Sequence, residues 1–402
     1  MSSSSDAPGE ILAGKYRVER VLGAGAMGTV YAATHVVLGQ RVAIKRMHAE
    51  RLGRPNARER FLREARAAAR LRSQHVARVI DVGVCEDGAP FIVMEHLDGE
   101  DLATRLDRSG PLPFGEAVEY VLQAAEAVAE AHAAGIVHRD LKPANLFLIR
   151  DPAGSPCVKV LDFGISKLLG DGLALTRNAV AVGSPHYMSP EQMVSSKDVD
   201  SRTDLWSLGV VLYELTTAAL PFDEEQIDAL FGRILHSPPP AISGLVATVP
   251  AGLEAVILQC LQKDRRRRFT NAAELAAALA PFLPGRGAML ATRVAVVLGV
   301  ATAPVHPTEP LDPDWPRSEG VPAEKEAPRA RARSLSKEPA IASRAGASRW
   351  AVVAGVAALV VAATITALVV LDRPAARSVA PSASTPTSDA PDAATTPGDR
   401  PK

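Results

Sequence analysis

Cysteine is scarce in this chain: among 402 residues only Cys85, Cys157 and Cys260 occur. They stand far apart, are odd in number and lack the paired spacing of a disulfide framework or a zinc site, so they read as free thiols in a reducing compartment. An excess of one charge is missing too. Lys plus Arg number 45 and Asp plus Glu number 45, so no global basic field points to a nucleic-acid partner. Residues Met1 to Glu10 have neither a basic start nor an apolar run, which excludes a secretory reading and leaves the first domain expected in the cytoplasm. Apolar residues at 47% and charged residues at 22% exclude wholesale disorder or a fibrous repeat. The length predicts two or three units at about 150 residues each.

Composition divides the chain. A Ser-rich leader is expected over 1–14, a folded domain over 15–284, a Pro/Arg/Ala-rich linker over 285–349, an apolar span over 350–372 and a disordered tail over 373–402. From 306 to 349 prolines and charges rise while large apolar residues thin out. That stretch cannot bury enough surface to offset its ordering entropy and reads as a tether.

Within the folded block, Tyr16 to Leu22, Thr29 to Ala33 and Val42 to Arg46 are short β-rich runs separated by Gly or polar turns. A helix is predicted from about Asn56 to Arg72, then strands over Val79 to Val84 and Phe91 to His96. Beyond Asp101 the signal is mostly helical. Val118, Val121, Leu122, Ala125, Val128, Ala129 and His132 fall on one helix face. A small sheet-rich lobe followed by a larger helical lobe is an α+β chain, and the cleft between two lobes is a place for a ligand.

Three groups carry chemistry. Gly23, Gly25 and Gly28 lie between two predicted strands, where the missing Cβ lets backbone N–H groups approach a polyphosphate. A dinucleotide-binding fold would open a helix after the third Gly and place an acid about 20 positions on; here a strand follows, and Lys45 stands where that acid is sought. Lys45 itself sits in an apolar strand, Val42-Ala-Ile-Lys45, and its ammonium needs an anion, which Glu64 or a nucleotide phosphate can supply. The third group is His138-Arg-Asp-Leu-Lys-Pro-Ala-Asn145 followed by Asp162-Phe-Gly164. Phosphoryl transfer needs a proton acceptor, oxygen ligands for Mg²⁺ and cations facing the phosphates. Asp140 suits the first role, Asn145 and Asp162 the second, and Lys142 sits where it can meet the γ-phosphate.

With these motifs the sequence resembles the protein kinases, in their bacterial eukaryotic-like serine/threonine branch. The likeness spans roughly residues 15 to 283 and includes, in the family's order, the Gly-rich loop, Val-Ala-Ile-Lys, His-Arg-Asp, Asp-Phe-Gly, Ser189-Pro-Glu191 and Asp204-Leu-Trp-Ser-Leu-Gly209. The resemblance implies a protein-kinase-like two-lobed fold and transfer of the ATP γ-phosphoryl to Ser or Thr of proteins, with ATP and Mg²⁺ as cofactors. It implies Asp140 as catalytic base, assisted by Lys142 and Lys45. Leu22, Gly23, Gly25, Gly28, Val30 and Ala43 would enclose the nucleotide, with Lys45 on its α/β-phosphates and paired to Glu64. Met94 would be the gatekeeper, Glu95, His96 and Leu97 the hinge, and Asn145 and Asp162 the metal ligands. Glu191 would pair with Arg268, and Asp204 would brace the catalytic loop. Lys142 and Ser184 favour a Ser/Thr acceptor. Ser189 and Arg265 depart from the common Ala and Pro of the family, and no catalytic position is lost.

Arg139 precedes the catalytic Asp, and in this family such an arginine receives an activation-loop phosphate. Thr176 is the first choice of acceptor, with Ser166 and Ser184 as alternatives. Ala351 to Leu371 is uncharged and, at 1.5 Å per residue, roughly 31 Å long, enough to cross a core of about 30 Å. Trp350 fits an interfacial anchor. Arg331, Arg333, Lys337, Arg344 and Arg349 before it outweigh Arg373 and Arg377 after it, so the expectation is a single-pass protein of the cell membrane with a cytoplasmic kinase. Ala354, Ala358 and Ala362 form a small-residue stripe that would let two spans pack as a homodimer. The run Val294 to Val305 is too short to cross and is expected to pack on the kinase or lie in the tether.

Overall fold

Strand alternation gives the N-terminal sheet two faces with different work. The structure, a computed structural model, describes residues 8–25, 28–53, 57–163, 185–195 and 199–300. The strands β1 (Ile11–Leu12), β2 (Tyr16–Gly25), β3 (Gly28–His35) and β4 (Arg41–Met47) precede helix α1 (Ala57–Ala68), and β5 (Val79–Val84) and β6 (Pro90–Glu95) follow it. They form one antiparallel sheet in the order β1-β2-β3-β4-β6-β5. On one face Val18, Tyr31, Ala33, Val42, Ile44, Phe91 and Val93 make a buried cluster. The opposite face carries the cross-strand pairs Val30–Lys45, Ala32–Ala43, Ala43–Met94 and Lys45–Ile92. Met47 and Ile92 on this side pack against Phe61 and Ala65 of α1. The alternation therefore puts Lys45 on the α1 side of the sheet.

Two boundaries differ from the sequence reading. Strand β2 runs on through the Gly-rich stretch, because Gly23, Ala24 and Gly25 pair with Val30, Thr29 and Gly28. At Gly28 a Cβ would lie 2.0 Å from the Arg46 carbonyl oxygen, so the close approach of β3 and β4 requires glycine there. Helix α1 stops at Ala68 rather than reaching Arg72. The backbone N–H groups of Arg72 and Ser73 instead donate to the Glu130 carboxylate at 2.7 Å each, which ends the helix and fixes the turn toward β5.

The second lobe contains β7 (Gly99–Asp101), α2 (Leu102–Ser109), α3 (Phe114–Ala133), β8 (Leu146–Arg150), β9 (Pro156–Val160), α4 (Pro190–Val194), α5 (Arg202–Thr217), α6 (Ile227–His236), α7 (Leu253–Cys260), α8 (Ala272–Leu279) and α9 (Gly287–Leu298). Strands β7, β8 and β9 form a small antiparallel sheet. Asp101 caps α2 by accepting from the Thr104 N–H at 2.9 Å. Helix α3 shows the predicted apolar positions, but Tyr120, Ala124, Ala127 and Ala131 are buried as well. The sequence predicted one apolar face; the helix is enclosed on more sides because α5, α8 and α9 all pack on it. At Gly209 of α5 an added Cβ would meet the Cys260 Cβ at 2.4 Å, so glycine permits the contact between α5 and α7.

Helix α9 moves the edge of the folded lobe. Composition put that edge at 284, yet Leu290, Ala291, Val294 and Ala295 are buried in the same core as α3 and α8. Arg293 also donates to Glu126 of α3 at 2.9 Å. Of the two placements expected for the apolar run starting at Val294, packing is the one adopted by its described part. Leu290→Ala should therefore cost roughly 2–5 kcal/mol in urea unfolding, whereas the same change in a tether would cost nothing measurable. Among the described residues no helix is long and apolar enough to cross a membrane. The predicted span 350–372 lies outside the described residues.

Candidate active site

The loop between α3 and β8 is built on a buried carboxylate. Asp204, at the start of α5, is fully buried and accepts hydrogen bonds from the backbone N–H groups of His138 and Arg139, each at 2.8 Å. His132 Nε2 donates to it at 2.7 Å. Burial by itself would raise this carboxyl, but the hydrogen bonds and the neighbouring imidazoles outweigh it and hold Asp204 below the usual carboxylate range. His138 is clamped in turn: its Nε2 donates to the Leu161 carbonyl at 2.8 Å, its Nδ1 accepts from the Asp140 N–H at 3.2 Å, and its ring meets Phe163 edge to face. These partners fix the tautomer with hydrogen on Nε2. Arg139, at φ 68°, and Asp162, at φ 59°, both hold left-handed backbone that non-glycine residues seldom adopt.

Asp140, Lys142 and Asn145 meet at the end of this loop. Asp140 Oδ2 accepts from Lys142 Nζ at 3.0 Å and from Asn145 Nδ2 at 3.1 Å, and Nδ2 also donates to the Asp140 carbonyl at 2.7 Å. The amide is thereby turned so that its Oδ1 is the atom directed away from Asp140. The Leu161 N–H donates to the Asn145 carbonyl at 2.9 Å, which ties the approach to Asp162 to the same loop. Across the cleft Lys45, 7% exposed, pairs with Asp162 at 2.6 Å. That carboxylate supplies the anion which a lysine in an apolar strand requires. Glu64, the other partner expected for Lys45, stands on α1, and its side chain is outside the described residues.

Of the remaining predicted positions, Leu22, Gly23, Gly25, Gly28, Val30, Ala43, Met94 and Glu95 lie on strands of the N-terminal sheet. Val30, Ala43, Met94 and Leu97 are partly exposed, and Leu22 is 41% exposed on β2. Gly23 and Gly25 have no atom within 4 Å of where a Cβ would stand, so the space beside them is open. Met94 borders a recess lined also by Ala65, Val79, Ile92 and Phe163. Glu95 accepts from the Arg78 N–H at 2.8 Å and from Lys159 Nζ at 2.9 Å, and His96 Nε2 lies 3.3 Å from Arg41 Nη2. Thr176, Ser166 and Ser184 lie outside the described residues.

Two cations facing two carboxylates and an amide oxygen form a place for a phosphate-bearing ligand and a hard divalent cation. Comparison with known proteins decides the family. The protein kinase domain model matches residues 16–279. The chain belongs to the protein kinase family. It is 39% identical over 301 residues to serine/threonine-protein kinase Pkn1 of Myxococcus xanthus, covering 74% of this chain and 43% of that one. It is 36% identical over 272 residues to serine/threonine-protein kinase PknB of Mycobacterium leprae, covering 67% and 43%. The chain thus spans less than half the length of these relatives. The crystal structure of the Mycobacterium tuberculosis PknI kinase domain matches with a TM-score of 0.55 at 30% identity, covering 69% of this kinase and 99% of that domain.

In this kinase the expected pair between Glu191 and Arg268 is bidentate, at 2.7 and 2.8 Å. Thr203 donates to the same Glu191 oxygen at 2.8 Å, and the buried Arg268 guanidinium lies 4.9 Å from the Trp206 ring centroid. Burial opposes ionisation of Glu191, but the Arg268 guanidinium prevails and lowers its pKa. Glu191 and Asp204 both bind protons less readily folded than unfolded. Their contribution to stability is present above the ordinary carboxylate pKa values near ~4 and is lost as pH falls through the lower folded values. The part of the urea midpoint that these two carboxylates supply should therefore fall below about pH 4, and Glu191→Gln should flatten that part of the fall.

Sequence reasoning gave no role to His132, Thr203 or Lys159. His132 did carry a signal, since it is a polar residue at a position of the apolar face of α3, where a buried partner is required. Lys159 carried the same signal in a strand of apolar neighbours.

Proposed function

We propose that this kinase transfers the γ-phosphoryl of ATP to Ser or Thr hydroxyls of proteins, using Mg²⁺. The observation that carries this reading is the convergence of Asp140, Lys142 and Asn145 on one loop with the Lys45–Asp162 pair opposite. Asp140 orients the acceptor hydroxyl and takes its proton, which needs an accepting carboxylate oxygen within hydrogen-bond reach. Lys142 and Lys45 lie against developing negative charge, and the glycine hairpin covers the phosphates. The donor set suits magnesium: a carboxylate and an amide oxygen, with phosphate oxygens completing the shell. Asn145 and Asp162 would hold the ion, which when bound neutralises phosphate charge. Because Asp140 already contacts both Lys142 and Asn145, placing the acceptor hydroxyl is a matter of orientation rather than of assembling the loop.

Full-length protein incubated with γ-labelled ATP, magnesium and peptides offering Ser, Thr or Tyr tests this reading. Label on Ser or Thr supports it. ATP binding without transfer would support the alternative, a nucleotide-binding scaffold that signals by conformation.

The setting of this activity is part of the same proposal: a single span over 350–372 anchors the chain in the cell membrane with the catalytic lobes on the cytoplasmic side. The uncharged run Ala351 to Leu371 and the arginines before it support the span and its orientation. Carbonate extraction that released the full chain from membranes would refute the anchor. The Ala354, Ala358 and Ala362 stripe supports a homodimer of spans, and crosslinking in membranes that gave only monomers would remove it. Autophosphorylation at Thr176 is the proposed activating event; a fully active protein unmodified at Thr176 would exclude it.

A further inference from the structure

Three successive peptide groups lead into Asp140, and each is held. The N–H groups of His138 and Arg139 both donate to Asp204. The third peptide group joins Arg139 to Asp140 and is held at both ends. Its N–H donates to His138 Nδ1 at 3.2 Å, and its carbonyl oxygen accepts from Gln192 Nε2 at 2.9 Å. A peptide group is planar, so two hydrogen bonds at its opposite ends fix its rotation. This matters here because Arg139 has a left-handed φ of 68°, a conformation that relaxes if its surroundings do not impose it.

Gln192 stands next to Glu191, on α4. Its other amide atom is also engaged: Oε1 accepts from the Ser189 N–H at 3.0 Å and lies 3.3 Å from Ser189 Oγ, closing a capping box at the start of α4. The donors at Ser189 and the acceptor at Arg139 fix which end of the amide is which. The side chain therefore joins two parts of the site, α4 on one side and the backbone carrying Asp140 on the other.

We propose that Gln192 is a positioning residue for phosphoryl transfer, holding the Arg139–Asp140 peptide so that Asp140 is aimed at the acceptor hydroxyl. The inference rests on the kinase reading above. Gln192→Glu separates the two jobs of the side chain. A carboxylate keeps the cap, since it still accepts from Ser189, but it sets an acceptor oxygen against the Arg139 carbonyl and loses the clamp.

The test measures full-length wild type, Gln192→Glu and Gln192→Ala in two ways. Hydrogen exchange over 138–141 reads the clamp whether or not the protein is active. Exchange should be about tenfold faster in both variants, while the thermal midpoint of Gln192→Glu stays within about 2 °C of wild type. In the transfer assay Gln192→Glu should lower kcat about tenfold with KM for ATP changed less than twofold. Wild-type exchange over 138–141 in Gln192→Glu, or an unchanged kcat beside an active wild type, overturns the proposal. A wild type that exchanges slowly yet transfers no phosphate would instead overturn the kinase reading and leave the clamp standing.

Discussion

Asp140→Asn is expected to lower phosphate transfer by about 10²- to 10⁴-fold, the span typical of removing a positioned general base. The substitution is nearly isosteric. One oxygen remains to accept from Lys142 and Asn145, whose donors lie at 3.0 and 3.1 Å. The loop is braced independently through Asp204 and His138, so it should keep its shape. What disappears is the negative charge and the ability to take a proton. ATP affinity should stay within a few-fold of wild type, because the cations and glycines assigned to the nucleotide are untouched. A loss shared equally between nucleotide binding and turnover would show that Asp140 acts through the fold and not on the hydroxyl.

Arg268→Met should produce the largest loss of stability among single changes at the site, about 3–5 kcal/mol, the cost of leaving one member of a buried ion pair alone. Arg268 is 4% exposed and meets Glu191 through two hydrogen bonds, so its removal strands a half-buried carboxylate. Methionine keeps much of the apolar contact with Trp206 but none of the donors. The residue also donates through Nε to the Gln262 carbonyl at 2.8 Å, and that acceptor is left unsatisfied as well. Chemical unfolding at pH 7 measures the effect. Adding Glu191→Leu to Arg268→Met should recover part of the loss, since the double change removes the stranded charge.

Much of the site was legible because its residue types are dictated by chemistry that leaves little choice. A proton acceptor, two oxygen ligands and a strand lysine have to be those side chains, and they fall in fixed order along the chain. The sheet was legible for a related reason, since alternation along Val42 to Lys45 already puts Val42 and Ile44 on one face and Lys45 on the other. The partners were not legible. Nothing local says that Lys159 turns to Glu95 or that Gln192 reaches Arg139, because the first contact joins the second lobe to the N-terminal sheet and the second joins α4 to the loop before Asp140, segments that only the fold brings together. Glu130 is similar: it terminates α1 from far along the sequence, and propensity alone carried the helix too far. Helix α9 was obscured by its composition. Rich in Ala and Val and followed by prolines, it resembles the start of a linker until α3 and α8 are present to receive Leu290 and Val294.

A single-turnover experiment tests the central claim most directly. Full-length protein in excess over γ-labelled ATP is mixed with magnesium and a Ser/Thr peptide and quenched over time. The account predicts that label leaves ATP and appears on the peptide hydroxyl in the wild type, while Asp140→Asn binds the nucleotide and leaves it intact. Label that remained in wild-type ATP, or that appeared only as free phosphate, would contradict it.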